Sequence, residues 1–263
     1  MIMTWNPAEY AQSSDAQQSW ARDLLHEVKL QGNEAILDVG CGDGKITADF
    51  AKTLPLSRVV GIDNSAEMIE YASRTYPPSI YPNLSFDRVD ARSLYFQQEF
   101  DLCFSNAALH WVDDHRAFLR GASQVLRSGG RLVVSCGGEG NAAEVLRIFA
   151  ELMVLKQWQL YFDNFHSAYS FYSDTDYSAW LVETSFKIEQ LRLVPKDMTH
   201  QGRTGLGNWI RTTWMPFTHC VPIEQREDFI DHFVDKYLEA HPLDQWGYAH
   251  VAMVRLEANL VKY

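Results

Sequence analysis

The chain has 263 residues, 46% of them hydrophobic and 22% charged, which suits one large globular domain or a domain with a lid. Its net charge of −11 argues against nucleic acid as a partner, because phosphate contacts need clustered Lys and Arg, although a local site can still oppose the global sign for a small anion. No apolar run approaches the ~20 residues of a membrane helix, MIMTWNPAEY lacks the parts of a secretory signal, and Cys41, Cys103, Cys136 and Cys220 form no C-x-x-C pair, so no membrane span, metal or disulfide framework is expected and a reduced, cytoplasmic protein is.

In chain order, residues 1–30 are expected to form a helical lid region. Within it Gln17 stands three residues before Trp20, which places both on one helix face. Residues 31–137 alternate strand and helix signals. AILDVG precedes the helical pattern KITADFAKTL, and RVVGID precedes SAEMIEYASRTY, where Ser65 is placed to cap. LSFDRVD and FDLCFSN read as strands, HRAFLRGASQVL as a helix with Asp113 or Asp114 as cap, and SGGRLVVSCGG as a turn and strand. Strands separated by helices of about ten residues predict βαβ units and a parallel sheet.

From residue 138 to 263 the rhythm is interrupted twice. NAAEVLRIFAELMVLKQW predicts one amphipathic helix and is followed by a loop crowded with aromatic residues. A helix at DYSAWLVETS and a strand at KIEQLRLVP resume the pattern. GLGNWIRTTWMPFTHCVP interrupts it again, before the helix IEQREDFIDHFVDKYLEA and a last strand in HVAMVRLEANLVKY. The two interruptions are expected to fold together as a lid over the sheet. Their aromatic residues serve either core packing or an apolar ligand pocket, and Tyr161, Trp209 and Trp214 are the ones expected to bind substrate.

The chemistry gathers at strand ends. Gly40, Gly42 and Gly44 allow close backbone approach and positive φ at the carboxyl end of the first strand, where open α/β sheets bind ligands. Asp38 and Asp43 flank that turn. Two carboxylates are poor company for pyrophosphate and suit a cofactor with an ammonium or sulfonium group. Asp63 ends the second strand, about 20 residues on, as for a carboxylate on ribose hydroxyls. Asp90, with the backbone of Ala91, ends the third and can accept from an adenine amino group.

These stretches, LDVGCGDG, GIDNSAEMI, VDAR and FSNAALHW, resemble the successive motifs of class I S-adenosylmethionine-dependent methyltransferases over roughly residues 34–137. The resemblance implies a Rossmann-like α/β fold: a seven-stranded, mostly parallel sheet with a reversed final hairpin, helices on both faces and an aromatic-rich helical cap. It implies S-adenosylmethionine as cofactor, with Gly40 and Gly42 beside the methionine part, Asp63 on ribose, Asp90 by adenine, Ser105 and Asn106 facing the cofactor, and Cys41, Asn64, Met68 and Ala91 also in the cofactor site. WNPAEY and HWVDDH resemble the trans-aconitate methyltransferases, and YAQSSDAQQSWARDLLHE resembles the juvenile hormone acid methyltransferases. Both relatives methylate a carboxylate on a small molecule. By that likeness Tyr10 belongs to the cofactor site, and Gln17, Trp20, His110 and Trp111 to the acceptor site.

A carboxylate is ionised at pH 7 and needs no general base. Gln17 and Trp111, as neutral N–H donors, can aim it without quenching it. The acceptor is therefore expected to be a small, partly apolar carboxylic acid. Two alternatives stand beside this: a carbon or nitrogen acceptor with a histidine or acidic base, for which His110 and His115 are the candidates, and a protein that binds the cofactor without turnover. Structural roles are expected for both histidines, with His110 pointing away from Trp111 if the segment is extended. The sequence leaves the oligomeric state open.

Overall fold

The computed structural model describes residues 30–263, so Tyr10, Gln17 and Trp20 lie outside the described residues. Among the described residues the strands are β1 (Ala35–Val39), β2 (Arg58–Asp63), β3 (Leu84–Arg88), β4 (Phe100–Asn106), β5 (Leu126–Gly137), β6 (Phe186–Gln201) and β7 (Tyr248–Lys262). They form one sheet in the order β3-β2-β1-β4-β5-β7-β6. The first five pair in parallel, and β7 runs antiparallel to β5, with Leu132 opposite Leu260 and Gly137 opposite Arg255. This is the expected Rossmann-like sheet. Chain order reverses where β1 lies between β2 and β4, and in such sheets the ligand crevice opens there, outside the carboxyl ends.

All five residues of β1 are buried, as they must be when both faces of a strand are covered. Alternation sorts them. Ile36 joins Val59, Leu102, Phe104 and Val133 in one core, whereas Leu37 and Val39 join Val60, Ile62, Cys103 and Val134 in the other. Helix α1 (Lys45–Thr53) adds Ala48, Phe50 and Ala51 to the first core. Helix α3 (His115–Val125), which follows α2 (Ala66–Thr75), adds Phe118, Leu119 and Ala122 to the second. The caps are as the sequence predicts. Met68 N donates to Ser65 Oγ at 3.2 Å, and Ala117 N donates to Asp114 Oδ1 at 2.8 Å.

The chain divides into two compact units. The first holds the described residues up to Glu139, Tyr169–Val194 and Arg255–Tyr263; the second holds Gly140–Ala168 and Pro195–Val254. The helical part of the first interruption and the whole of the second fall in the second unit, whereas the end of the aromatic loop, from Tyr169, belongs to the first. The helices of the second unit are α4 (Ala143–Met153), α6 (Gly202–Thr213), α7 (Met215–Thr218) and α8 (Arg226–Ala240), whereas α5 (Asp174–Leu181) belongs to the first. Helix α4 is shorter than NAAEVLRIFAELMVLKQW suggests. Ala142 before it is left-handed at φ 50°, and Asn141 instead uses its side-chain oxygen to accept from Val254 N at 3.0 Å. At its far end Leu155 N turns back to Leu152 O at 3.0 Å. Among the described residues no helix is long and apolar enough to cross a membrane.

Phe149 is the hub of the second unit. It is fully buried, with ring centroids 4.3 Å from Phe217, 4.5 Å from Phe233 and 5.8 Å from Trp214. Phe149→Ala should therefore cost ~3–5 kcal/mol in denaturant unfolding, the usual range for deleting a buried ring. A loss below about 1 kcal/mol would contradict a core organised around this side chain.

Candidate functional site

The chain leaves β1 through a turn that only glycine permits. Gly40, Gly42 and Gly44 hold φ of 75°, 54° and 80°. Gly40 N and Cys41 N both donate to Ile62 O, at 2.7 and 2.9 Å, which binds the turn to the end of β2. A Cβ on Gly40 would stand 2.2 Å from that of Ala108, so the loops after β1 and β4 touch at this point. Asp63, last residue of β2, completes the frame: its carboxylate accepts from Gly42 N at 3.0 Å and from Ser65 N, at the head of α2, at 2.9 Å.

Alternation places Asp38 on the Ile36 side of β1, toward α1, and there Thr47 Oγ1 donates to it at 2.7 Å. Only 3% of Asp38 is exposed. Burial pushes its pKa up to about 7, against the Thr47 hydrogen bond and with help from the charges of Asp63 and Asp43. Burial also raises Asp63 and Asp43, the latter accepting from Lys45 N at 3.1 Å. Three partly desolvated carboxylates around open backbone turns favour a ligand that brings positive charge and hydroxyl donors. Cys41 is buried beside them and its thiol is kept protonated by burial; Met68 is also buried.

Asp90 follows β3 and accepts from Arg92 through its backbone N at 2.9 Å, its Nε at 3.0 Å and its Nη2 at 2.6 Å, which holds its carboxyl below the usual range. Ala91 opens the short 3-10 turn Ala91–Ser93, and Asn64 O accepts from Arg88 Nε at 2.9 Å. At the end of β4, Ser105 Oγ donates to Val39 O at 2.8 Å, stitching β4 to β1. Asn106 Oδ1 accepts from Arg255 Nη2 at 3.3 Å. Ala107 is left-handed at φ 55°, the kind of local strain that concentrates at functional sites.

Arg255 was not singled out by the sequence. It is 4% exposed, and Nη2 also donates to Ser135 O at 2.6 Å. The available signal was one cation inside the apolar alternation AMVRLEANL. Thr47 was missed as well, because a threonine inside a helix carries no signal until Asp38 is seen facing it.

Leu109, His110 and Trp111 form a 3-10 turn rather than an extended segment, closed by Trp111 N to Ala108 O at 3.0 Å and Val112 N to Leu109 O at 2.8 Å. The His110 and Trp111 rings therefore stay near each other, with centroids 5.6 Å apart, instead of pointing oppositely. The stretch after Ala168 lies against this turn. Tyr169 is 4.5 Å from Trp111, Phe171 is 6.2 Å from His110, and Ser170 N donates to His110 O at 2.9 Å. Burial drives His110 down to about 3, aided by the Arg255 charge, and drives His115 down to about 4. Tyr161, Trp209 and Trp214 belong to the second unit. Trp209 and Trp214 are buried in its aromatic core, 5.7 Å apart, and Tyr161 Oη donates to Gln225 at 3.3 Å.

Gly40→Ala tests the frame directly. The left-handed backbone alone costs about 1–2 kcal/mol for a residue with a side chain. The contact with Ala108 adds to that, so the unfolding free energy should fall by more than the backbone cost, and the midpoint with it. An unchanged midpoint would contradict the close approach of the two loops.

The Methyltransferase domain family matches residues 37–134, which span the glycine turn, the acids at the strand ends and the Leu109–Trp111 turn. The chain is 30% identical over 223 residues to an uncharacterized methyltransferase of Schizosaccharomyces pombe, covering 83% of each protein. It is 26% identical to a trans-aconitate 2-methyltransferase of Enterobacter sp., covering 96% of each. The crystal structure of the YcgJ protein of Bacillus subtilis shares the fold at a TM-score of 0.63 and 17% identity, over 93% of this chain and 98% of that one. The reversed strand order, the glycine turn under buried acids and these full-length likenesses agree, and the chain belongs to the class I S-adenosylmethionine-dependent methyltransferases.

Proposed function

We propose that the protein transfers the methyl group to the carboxylate of a small, partly apolar acid, giving its methyl ester. The observation that carries this reading is how the two histidines near the Leu109–Trp111 turn are engaged. His115 is bonded at both ring nitrogens, to Leu109 O at 2.6 Å and Tyr177 Oη at 2.8 Å, and His110 Nδ1 accepts from Gly137 N at 3.4 Å. Burial also lowers both pKa values, to about 3 for His110 and about 4 for His115, which makes them poor bases for a phenol or an amine at neutral pH. A carboxylate needs no such base. The Enterobacter relative supports the reading, since its name gives a carboxylic acid as acceptor.

Bound S-adenosylmethionine supplies an electrophilic methyl group on a sulfonium. In this reading Gly40, Cys41 and Gly42 bring backbone against the cofactor, and Asp38 and Asp43 offset its positive charge. Asp63 accepts from ribose, Asp90 and Ala91 meet the adenine, and Tyr10, Asn64, Met68, Ser105 and Asn106 complete the contacts. Trp111 and Gln17 each donate an N–H to the acceptor carboxylate, and Trp20 and His110 serve the acceptor site with them. Their work is aim and exclusion of water, and well-oriented proximity can supply ~7–11 kcal/mol of barrier lowering.

Incubation with methyl-labelled cofactor and a panel of fatty, terpenoid and tricarboxylic acids tests this. Label should enter an ester that mild alkali hydrolyses. Transfer confined to phenol, amine or carbon acceptors would overturn the reading. Trp111→Phe keeps most of the ring and deletes the N–H; it should lower turnover of the acid roughly tenfold or more while leaving cofactor affinity within about twofold. Near-normal turnover would remove Trp111 from the mechanism.

Asp38 gives a pH prediction. Its carboxyl is raised to about 7, so it binds a proton as pH falls through that value. A cationic cofactor favours the ionised form. The dissociation constant should thus be level above pH 7 and rise below it, by up to about tenfold per pH unit. Calorimetry checks this, and Asp38→Asn should abolish the slope. A wild-type constant that is level from pH 6 to 8 would contradict the assignment.

A further inference from the structure

We propose that His115 and Tyr177 are positioning residues for Trp111, forming a neutral hydrogen-bonded clasp that sets the Leu109–Trp111 turn; this rests on the donor role proposed for Trp111. Tyr177 projects from α5 and His115 opens α3, and both side chains are fully buried in the first unit. His115 Nε2 lies 2.6 Å from Leu109 O, and His115 Nδ1 lies 2.8 Å from Tyr177 Oη.

Chemistry fixes the protons. A backbone carbonyl can only accept, so Nε2 carries the hydrogen and donates to Leu109 O. In the neutral ring Nδ1 is then the acceptor, and the Tyr177 hydroxyl donates to it. Burial keeps this ring neutral near pH 7, with a pKa of about 4 despite the acidic neighbours Asp113 and Asp114. Deeply buried and bonded at both nitrogens, His115 is placed to hold rather than to exchange protons.

What it holds is the carbonyl that also closes the turn. Leu109 O accepts from Val112 N at 2.8 Å as well as from His115, using both lone pairs. Trp111 lies between Leu109 and Val112 in the turn, so the placement of its backbone follows from where Leu109 O is pinned, and its ring packs 4.5 Å from Tyr169. Tyr172 Oη adds a bond to Asp113 O on the far side of Trp111. The ring of Tyr172 lies edge-on to His115 at 4.7 Å. Thus the segment from Tyr169 to Tyr177 contacts Trp111 directly and fixes its backbone through His115 and Asp113.

Tyr177→Phe removes one hydroxyl and keeps the ring, so it is the mild probe. With an acid that the wild type esterifies, kcat should fall roughly three- to tenfold, while KM and the S-adenosylhomocysteine dissociation constant stay within about twofold. His115→Leu should fall further. His115→Gln, which offers both an N–H and a carbonyl, should recover part of the loss. The decisive comparison is the background: in Trp111→Phe protein, adding Tyr177→Phe should cost less than about twofold more, because a donor already deleted cannot be misaimed. Losses that multiply in the double variant, or a Tyr177→Phe effect on cofactor binding instead of kcat, would overturn the clasp while leaving the Trp111 reading standing. Near-normal turnover of Trp111→Phe alone would overturn both.

Discussion

The contact of two loops at one glycine governs the rest of this structure. A side chain on Gly40 would meet Ala108 at 2.2 Å, so the turn after β1 and the turn after β4 can share the end of the sheet only while that position stays bare. The same turn hands its backbone N–H groups to Ile62 O and to the Asp63 carboxylate, which fixes β2 and the head of α2 in register with it. From Ala108 the chain enters the Leu109–Trp111 turn directly. One close approach therefore sets the distance between the acids of the cofactor end and the indole proposed to meet the acceptor.

Charge is divided across this end of the sheet. Asp38, Asp43 and Asp63 lie at the ends of β1 and β2, with burial raising each, whereas the buried cation Arg255, in β7, is bonded to Asn106 of β4 and Ser135 of β5. Burial lowers both His110 and His115, and the Arg255 charge contributes to the low value at His110. Such an arrangement suits a reaction whose donor is cationic and whose acceptor is already anionic, with the protein moving no proton. The overall charge of −11 says nothing against an anionic acceptor once a local cation is seen.

The sheet was legible because its signals are local. ILDVG alternates into two cores and ends in glycines, Ser65 and Asp114 cap the helices they precede, and FDLCFSN is β4 residue for residue. Other features needed tertiary context. On sequence alone the Leu109–Trp111 segment can be extended or turned, and the choice is made where Leu109 O accepts from Val112 and His115. NAAEVLRIFAELMVLKQW keeps its apolar period beyond Met153, yet the backbone turns there. Trp209 and Trp214 carry the same signal whether they line a pocket or fill a core, and only burial around Phe149 shows them within the second unit's core. Arg255 was hidden because its partners, Ser135 and Asn106, are more than a hundred residues away.

That the acceptor arrives ionised is tested most directly by the pH dependence of kcat at saturating cofactor and acid. Saturation removes the titration of Asp38 from the observed rate. The account predicts a flat profile from about pH 6 to 8, since no protein base is recruited and a carboxylate is ionised throughout. A profile that rises across this range, with a midpoint near the ordinary histidine value of about 6.5, would show a base at work and contradict it.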